Sequence, residues 1–418
     1  MSEKNIKKIG IRDALGEYIY TDIGVDADKV DIDVSTNLAE KLVEIDNKFE
    51  DLKAGGYANK DIYGDEKINL GRKVGTTAGP YSVTIGRDVS ATGTCSLAEG
   101  DGTAANGNYS HAEGSNTIAK GIYSHAEGAG TAANGFVSHA EGSSTAANGD
   151  YSHAEGASTT AIGNYSHAEG YGNTAKGDHS HSEGYNTTAI QDASHSEGYG
   201  TKAYGHYSHS EGYETTANGD ASHAEGDGTK AIGGNSHAEG YNTQAFGRAS
   251  HSEGNDTAAN GNYSHAEGTS TIASGDSAHA EGYNTKAKGN YAHSEGINTT
   301  AIGNQSHAEG NSSTANGTDS HAEGTSTFAS GDCSHSEGDN TIASGRAQHV
   351  QGQYNVEDIE EKYAHIVGGG TYEERKNIHT LDWQGNAEFA GDVIIHDLNG
   401  NAISLVNVIT ALTNANLL

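Results

Sequence analysis

Proline is almost missing from this chain: Pro80 is the only one in 418 residues. One methionine, one tryptophan and five phenylalanines accompany it, and large aliphatic side chains are scarce. A conventional hydrophobic core is therefore out of reach for most of the chain. Basic residues are also few: 24 Lys and Arg stand against 57 Asp and Glu, a net charge of -33. Binding a phosphate backbone needs a Lys/Arg surface, so nucleic acid is not an expected partner. No apolar run is long enough to span a bilayer, and no membrane insertion is expected. The N-terminus, MSEKNIKKIGIRDALGEYIY, lacks the apolar core and small-residue cleavage site of a secretory signal. Cysteine occurs only at Cys95 and Cys333. A chain assembled in a reducing cytosol fits that usage.

Glycine is what the chain has in quantity, with 59 residues, and it recurs with a period. The unit S-H-A-E-G-x-x-T-x-A-x-G-x-x repeats every fourteen residues, without insertion or deletion, from Gly86 to Gly352. That is twenty coils, with the first Gly invariant and an Ala invariant from Ala91 to Ala343. Low hydrophobicity with high charge otherwise signals disorder, but disorder does not need Ala at one phase. A period this strict marks a solenoid. At a strand spacing of about 4.8 Å the twenty coils make a rod roughly 95 Å long. Cys95 and Cys333, seventeen coils apart at one phase, then lie about 80 Å from each other and cannot pair.

Side chains alternate along a strand, so S-H-A-E-G puts Ser and Ala on one face, His and Glu on the other. T-x-A-x-G likewise puts Thr, Ala and Gly on one face and variable residues on the other. Each coil becomes two short strands joined by two Gly-containing turns. Successive coils pair in parallel and build two facing sheets. Their inner faces carry only Ser, Ala, Thr and Gly, so the interior must be too thin for Leu or Phe. Exceptions stay small: Val89, Asn173 and Ser313 replace Thr, Ala278 and Ala292 replace Ser, and Gln191 replaces the second Gly. Variable positions such as Ala104, Ile118, Lys202, Lys230, Lys286 and Phe328 are expected in solvent.

The other face of the first strand hardly varies. It carries His111, His125, His139, His153, His167, His181, His195, His209, His223, His237, His251, His265, His279, His293, His307, His321, His335 and His349. Beside them stand Glu99, Glu113, Glu127, Glu141, Glu155, Glu169, Glu183, Glu197, Glu211, Glu225, Glu239, Glu253, Glu267, Glu281, Glu295, Glu309, Glu323 and Glu337. The first coil has Val83 and Ile85 there, the second has Leu97, and the last has Gln351. A position that accepts aliphatic residues or a paired acid and imidazole reads as buried against something. A roll with so little apolar interior looks marginal alone. These residues are therefore expected to form a subunit interface.

Ser82-Val83-Thr84-Ile85-Gly86, followed by Val89, Ala91 and Gly93, resembles the head repeat of the trimeric autotransporter adhesins. That resemblance covers residues 81–352. It implies a mainly β protein built on a left-handed parallel β-roll solenoid, assembled as a homotrimer with Val83 and Ile85 facing neighbouring subunits. The S-H-A-E-G variant resembles repeats of bacteriophage tail fibre and minor structural proteins. So do the flanks Gln348-His349-Val350-Gln351-Gly352, Tyr363-Ala364-His365-Ile366-Val367-Gly368 and Leu381-Asp382-Trp383-Gln384-Gly385-Asn386.

The expected organisation has an N-terminal attachment region over 1–34 and a coiled-coil helix over 35–54. A connector over 55–80 leads to the roll over 81–352. A small C-terminal β module follows over 353–399, then a C-terminal helix over 400–418. Ser35 or Thr36 can cap the first helix, and Gly55-Gly56 ends it. Leu38, Leu42, Ile45, Phe49 and Leu52, spaced four, three, four, three, form an a/d seam; an amphipathic helix packed on a neighbour is the other reading. Tyr363 to Gly368 reads as one further, offset coil.

Eighteen repeated His and eighteen repeated Glu argue for structure over catalysis, because a catalytic site is singular. No enzyme activity and no cofactor are expected. Three histidines on a threefold axis could ligate a cation, yet the neighbouring carboxylate already gives each imidazole a partner. His179 with His181, and His206 with His209, lack the Cys/His spacing of a zinc site. Tyr171, Tyr185, Tyr199, Tyr213, Tyr241 and Tyr283 recur at one phase, where they can stack on sugars or simply cover a turn. The resemblance implies a homotrimeric fibre of a phage tail or phage-tail-like bacteriocin, assembled in the host cytoplasm and carried on the virion tail. Its partners would be itself, a tail or baseplate protein at the N-terminus, and a bacterial surface receptor such as a carbohydrate. A cell-surface trimeric adhesin is the first alternative, and a tailspike with glycan-degrading or self-cleaving activity the second. Acid is expected to weaken the interface once the Glu residues protonate, at strongly acidic pH and not near the His midpoint.

Overall fold

The computed structural model describes residues 9–12, 18–21, 68–391, 393–396 and 402–415. The chain divides into two units, Met1–Lys60 and Asp61–Leu418. In the first, strands Ile9–Arg12 and Tyr18–Thr21 pair antiparallel, with Ile9 opposite Thr21. The expected coiled-coil seam at Leu38, Leu42, Ile45, Phe49 and Leu52 lies outside the described residues.

The second unit is a parallel β-solenoid whose coils are fourteen residues long. A representative coil has a first strand at His209–Tyr213 and a second at Thr216–Ala217. Each first strand pairs in parallel with the first strand of the next coil, as His195 with His209 and Glu197 with Glu211. Each second strand does the same, as Lys202 with Thr216 and Ala203 with Ala217. The result is two parallel columns of strands whose backbone groups are satisfied by the coils above and below. Among the described residues no helix is long and apolar enough to cross a membrane.

The interior is as thin as the sequence requires. Ala105, Ala112, Ala119, Thr117, Thr131 and Ser124 are all buried, and the pattern recurs in every coil. Most buried Ser at this phase bond locally: Ser166 Oγ donates to the carbonyl of Gly163 at 2.6 Å, and Ser264 Oγ to that of Gly261 at 2.6 Å, whereas Ser334 Oγ has no partner among the described residues. In coils that read S-H-S-E-G, the second hydroxyl crosses the interior to the threonine of its own coil. Ser182 Oγ meets Thr187 Oγ1 at 2.7 Å, and Ser210 Oγ meets Thr215 Oγ1 at 2.8 Å. Two side chains of that size span the gap, which is the physical reason larger ones are rare; the buried Asn173 fits by donating to the Glu169 and Gly184 carbonyls. Of the variable positions, Ile118, Lys202, Lys230 and Phe328 are exposed, while Ala104 and Lys286 are half-buried. Nothing in the structure explains why the coil at Gln191 accepts a side chain at the second glycine phase.

The parallel sheet runs past both ends of the perfect repeat. Ile68–Arg72 pairs with the first coil, placing Asn69 opposite Thr84. Asn69 is buried and its Oδ1 accepts from Thr84 Oγ1 at 3.1 Å. At the far end Tyr363–Gly369 continues the first-strand column with a two-residue offset, His365 opposite His349 and Ile366 opposite Val350. Two further interior substitutions close that end. Gln348 stands at the serine phase; its Oε1 accepts from Ser344 and Gly345 N–H, and its Nε2 donates to Asp358 Oδ2 and the Tyr363 carbonyl. Asn355 stands at the threonine phase; it accepts from Ile342 N–H and donates to the Ile342 carbonyl. Both are long polar side chains that reach backbone groups the next coil no longer covers. Beyond them Asn377–Asp382 and Ala387–Phe389 add antiparallel strands, and a helix follows over Leu405–Asn414, capped by Ser404.

Candidate functional site

In-register parallel strands put the same side chain one strand spacing above itself, so identical residues form columns. The histidines stack with nearly parallel rings. His195 and His209 have ring centroids 4.6 Å apart, and His237 and His251 4.9 Å apart. The column is unbroken from His111 to His349 and then tilts: His349 to His365 is 5.1 Å at 37°. It passes edge-on from His365 to His379 at 5.6 Å and ends with His379 against Phe389 at 4.6 Å.

Alongside runs the glutamate column. His195 Nε2 lies 3.5 Å from Glu197 Oε2, and His223 Nε2 3.5 Å from Glu225 Oε2. Some imidazoles sit between two carboxylates, as His307 does with Glu295 at 4.0 Å and Glu309 at 3.8 Å. These Nε2 atoms are shielded from water, yet among the described residues they have no hydrogen-bond partner. Both columns keep about a third of their side-chain surface: His195 shows 34% and Glu197 33%. Val83 and Leu97 extend the His column, and Ile85 extends the Glu column, at the first coils. Gln351 and Val367 extend the Glu column at the other end. Non-titrating residues therefore bound both columns at the first coils and the Glu column at the other end, where the His column instead continues to His365 and His379.

Stacking controls the protonation of the face. Burial lowers the His195 pKa to about 4, with the nearby His209 and His181 adding to it. His251, His265 and His321 shift the same way, burial first. These rings are neutral at neutral pH. The carboxyls behave differently because each can share a proton with the coil above and below. Glu253 is pushed up to about 7 by hydrogen bonds to Glu267 and Glu239. Glu267 is held below the ordinary carboxylate value by its hydrogen bond from Glu253. Glu281 and Glu309 are also pushed up to about 7, the first mainly by burial and the second by its hydrogen bond to Glu295, while Glu295 and Glu323 are lowered. In this stretch neighbouring carboxyls are shifted in opposite directions, so protons are shared along the column. The column thereby escapes the repulsion of stacked carboxylates.

His125, Glu127 and His139 bring ligand atoms within 4.8 Å of one another, and other coils repeat the set. Parallel rings, however, direct their Nε2 lone pairs along parallel lines instead of toward one point. A shared cation requires the rings to rotate out of the stack. Of the histidine pairs singled out in the sequence, His179 joins the tyrosine column by stacking on Tyr165 at 4.9 Å. His206 lies 3.9 Å from Asp192.

Tyrosines form ladders too. Tyr171, Tyr185, Tyr199 and Tyr213 stack at 4.9 to 5.0 Å. Stacking hides the ring faces a sugar would use, so these rings cover the turn; Tyr241 and Tyr283 have no aromatic neighbour in their column. A second ladder, Tyr109 with Tyr123 and Tyr151 with Tyr165, occupies the other turn and was not read from the sequence.

Another column was also missed. Asn or Asp recurs two residues before the repeated Ser, and its side chain accepts the backbone N–H of the same position one coil earlier. Asp150 N–H donates to Asn164 Oδ1 at 2.9 Å, Asn164 N–H to Asp178 Oδ1 at 2.8 Å, and Asp178 N–H to Asp192 Oδ1 at 3.1 Å. The recurrence at one phase was the available signal. Asp178→Ala is expected to cost about 1 kcal/mol and to speed exchange of the Asn164 amide, while Asp178→Asn retains both. Denaturant melts and hydrogen exchange on the two variants check this.

Comparison with known proteins fits the geometry in one respect. No curated protein matches the chain. The family model described as the YadA head domain repeat (2 copies) matches residues 210–236, 266–292 and 294–320. The parallel β-solenoid of this chain thus carries repeats similar to the head repeat of the trimeric autotransporter adhesins.

Proposed function

We propose that the chain is a non-catalytic, homotrimeric fibre that acts as a rigid spacer and carries a host-binding surface. In this reading the His/Glu face lies between subunits and the fibre belongs to a phage tail or a phage-tail-like bacteriocin. The observation that carries it is the face itself. One pair of residues repeats coil after coil, with shielded Nε2 atoms that lack hydrogen-bond partners among the described residues and aliphatic residues at its ends. The head-repeat match supports a trimer, since that resemblance brings a homotrimer with it. Sedimentation at micromolar concentration is expected to give three times 43.1 kDa. A stable folded monomer would refute the interface assignment.

A cell-surface trimeric adhesin is the second reading, and the match to an adhesin head repeat favours it specifically. Negative-stain imaging with antibody to this chain separates the two. Label on phage tails supports the fibre; label on cells that carry no phage supports the adhesin. The host-contact surface is expected outside the His/Glu face, in the module from Tyr363 onward or at the exposed turn positions. Deleting residues 363–418 and restoring trimers with a foreign trimerisation tag tests that module. Cell binding that survives the deletion removes it from consideration.

A further inference from the structure

A repeating interface chooses a partner without choosing a stagger. If copies meet along the His/Glu face, sliding one roll by a single coil, about 4.8 Å, puts every His and Glu opposite the same residue types as before. Only the contact of one terminal coil is lost. Fixing the stagger therefore requires residues outside the repeat.

The structure places such residues where the columns end. The His column runs out of the roll through His365 and His379 onto Phe389, so the face continues without a break into the C-terminal module. There the character changes from titratable to apolar. Phe389 is 56% exposed and Trp383 50%. Ile378, Ile394, Leu405 and Ile409 are exposed as well. Helix Leu405–Asn414 buries none of its residues within the chain, although Ser404 caps it and accepts from Asn407 N–H. Large apolar side chains are thus exposed both on the strands that end the His column and on the hairpin and helix that follow them, and such exposure marks a contact surface.

We infer that this module docks against the same module of two further copies, and that this contact sets the axial register of the rolls. The inference rests on the homotrimer reading. A second copy is the fitting occupant for two reasons. The module continues the face on which the copies meet, and it supplies a non-repeating contact beyond that of Val83, Ile85 and Leu97 in the first coils.

The native thiols allow a test in the full-length chain. Cys95 and Cys333 are free and exposed. With Cys95→Ser, a spin label on Cys333 reports distances between copies. The otherwise unaltered chain is expected to give one narrow distance. Phe389→Ser with Ile409→Ser is expected to keep the roll protected from hydrogen exchange but add longer distances, matching axial shifts in steps of about 4.8 Å. Val83→Ser with Ile85→Ser is expected to keep the single distance. If the Phe389/Ile409 variant fails to fold, the milder Ile409→Ala gives the same readout. Folded monomers from the variant, against trimers from the parent, also support the docking contact. Trimers with one distance in the substituted module overturn this inference alone. A parent chain that sediments as a monomer overturns the homotrimer reading with it.

Discussion

Gly240→Ala is expected to cut the roll in two. Gly240 has φ +106°, and an added Cβ would lie 2.2 Å from the carbonyl oxygen of Gly254 in the next coil. Neither the left-handed backbone nor the clash can be relieved by moving a flexible side chain, because the obstructing atom is backbone. Strain and overpacking together cost about 3 to 5 kcal/mol. In a solenoid each coil touches only its neighbours, so the damage stays local. Hydrogen exchange is expected to show lost protection across His237–Tyr241 and His251–Asn255, with distant strands such as His125–Ala129 retaining theirs. Gln244→Ala, one turn away on the outer face of the second strand, is expected to change stability by less than about 0.5 kcal/mol. Undiminished protection around Gly240 would show that coils can separate without cost, and would refute the close approach described here.

Acid is expected to destabilise the roll from about pH 6.5 downward, earlier than the sequence suggested. A neutral imidazole such as His195, lowered from 6.5 to about 4, contributes stability that is complete above pH 6.5 and lost as pH falls toward 4. Glu253, raised from 4.5 to about 7, has the opposite sign: its contribution is full below pH 4.5 and lost as pH rises through 7. The two oppose each other between these values. More histidines are lowered by burial than glutamates are raised, and on that balance a net loss is expected on acidification. Below pH 4.5 Glu267, Glu295 and Glu323 also protonate and the loss steepens. Solvent reaches a third of these side chains and screens each coil, but the columns add many small terms. The melting temperature is expected to fall by more than about 5 °C between pH 7 and pH 4. His195→Val, Glu197→Ile, His209→Val and Glu211→Ile together reproduce the first coil's pattern and are expected to reduce that fall. Equal acid sensitivity in parent and variant would mean that other groups control it. The earlier onset has a physical cause: stacking buries each imidazole and places like charges above and below it, so protonation is opposed as soon as free histidine begins to titrate.

The period and the alternation of S-H-A-E-G by themselves determined most of the architecture. Two-residue alternation sends Ser182 and Thr187 inward and His181 and Glu183 outward, and Ser, Thr and Ala fill almost all of the space between the sheets. The fourteen-residue period put His195 opposite His209, because a coil without insertions has one possible register. Tertiary structure decided what fourteen residues of separation hides. Asp178 reads as a variable turn residue until the next coil lies beneath it and its carboxylate meets the Asn164 N–H. Gln348 and Asn355 read as decay of the repeat until the last coil needs its open backbone groups closed. Glu253 and Glu267 are the same residue in the same motif, yet stacking pushes one carboxyl up and holds the other down. Sequence encodes the side chain at each phase; stacked carboxyls one strand spacing apart must share protons, and only the stack sets that distance.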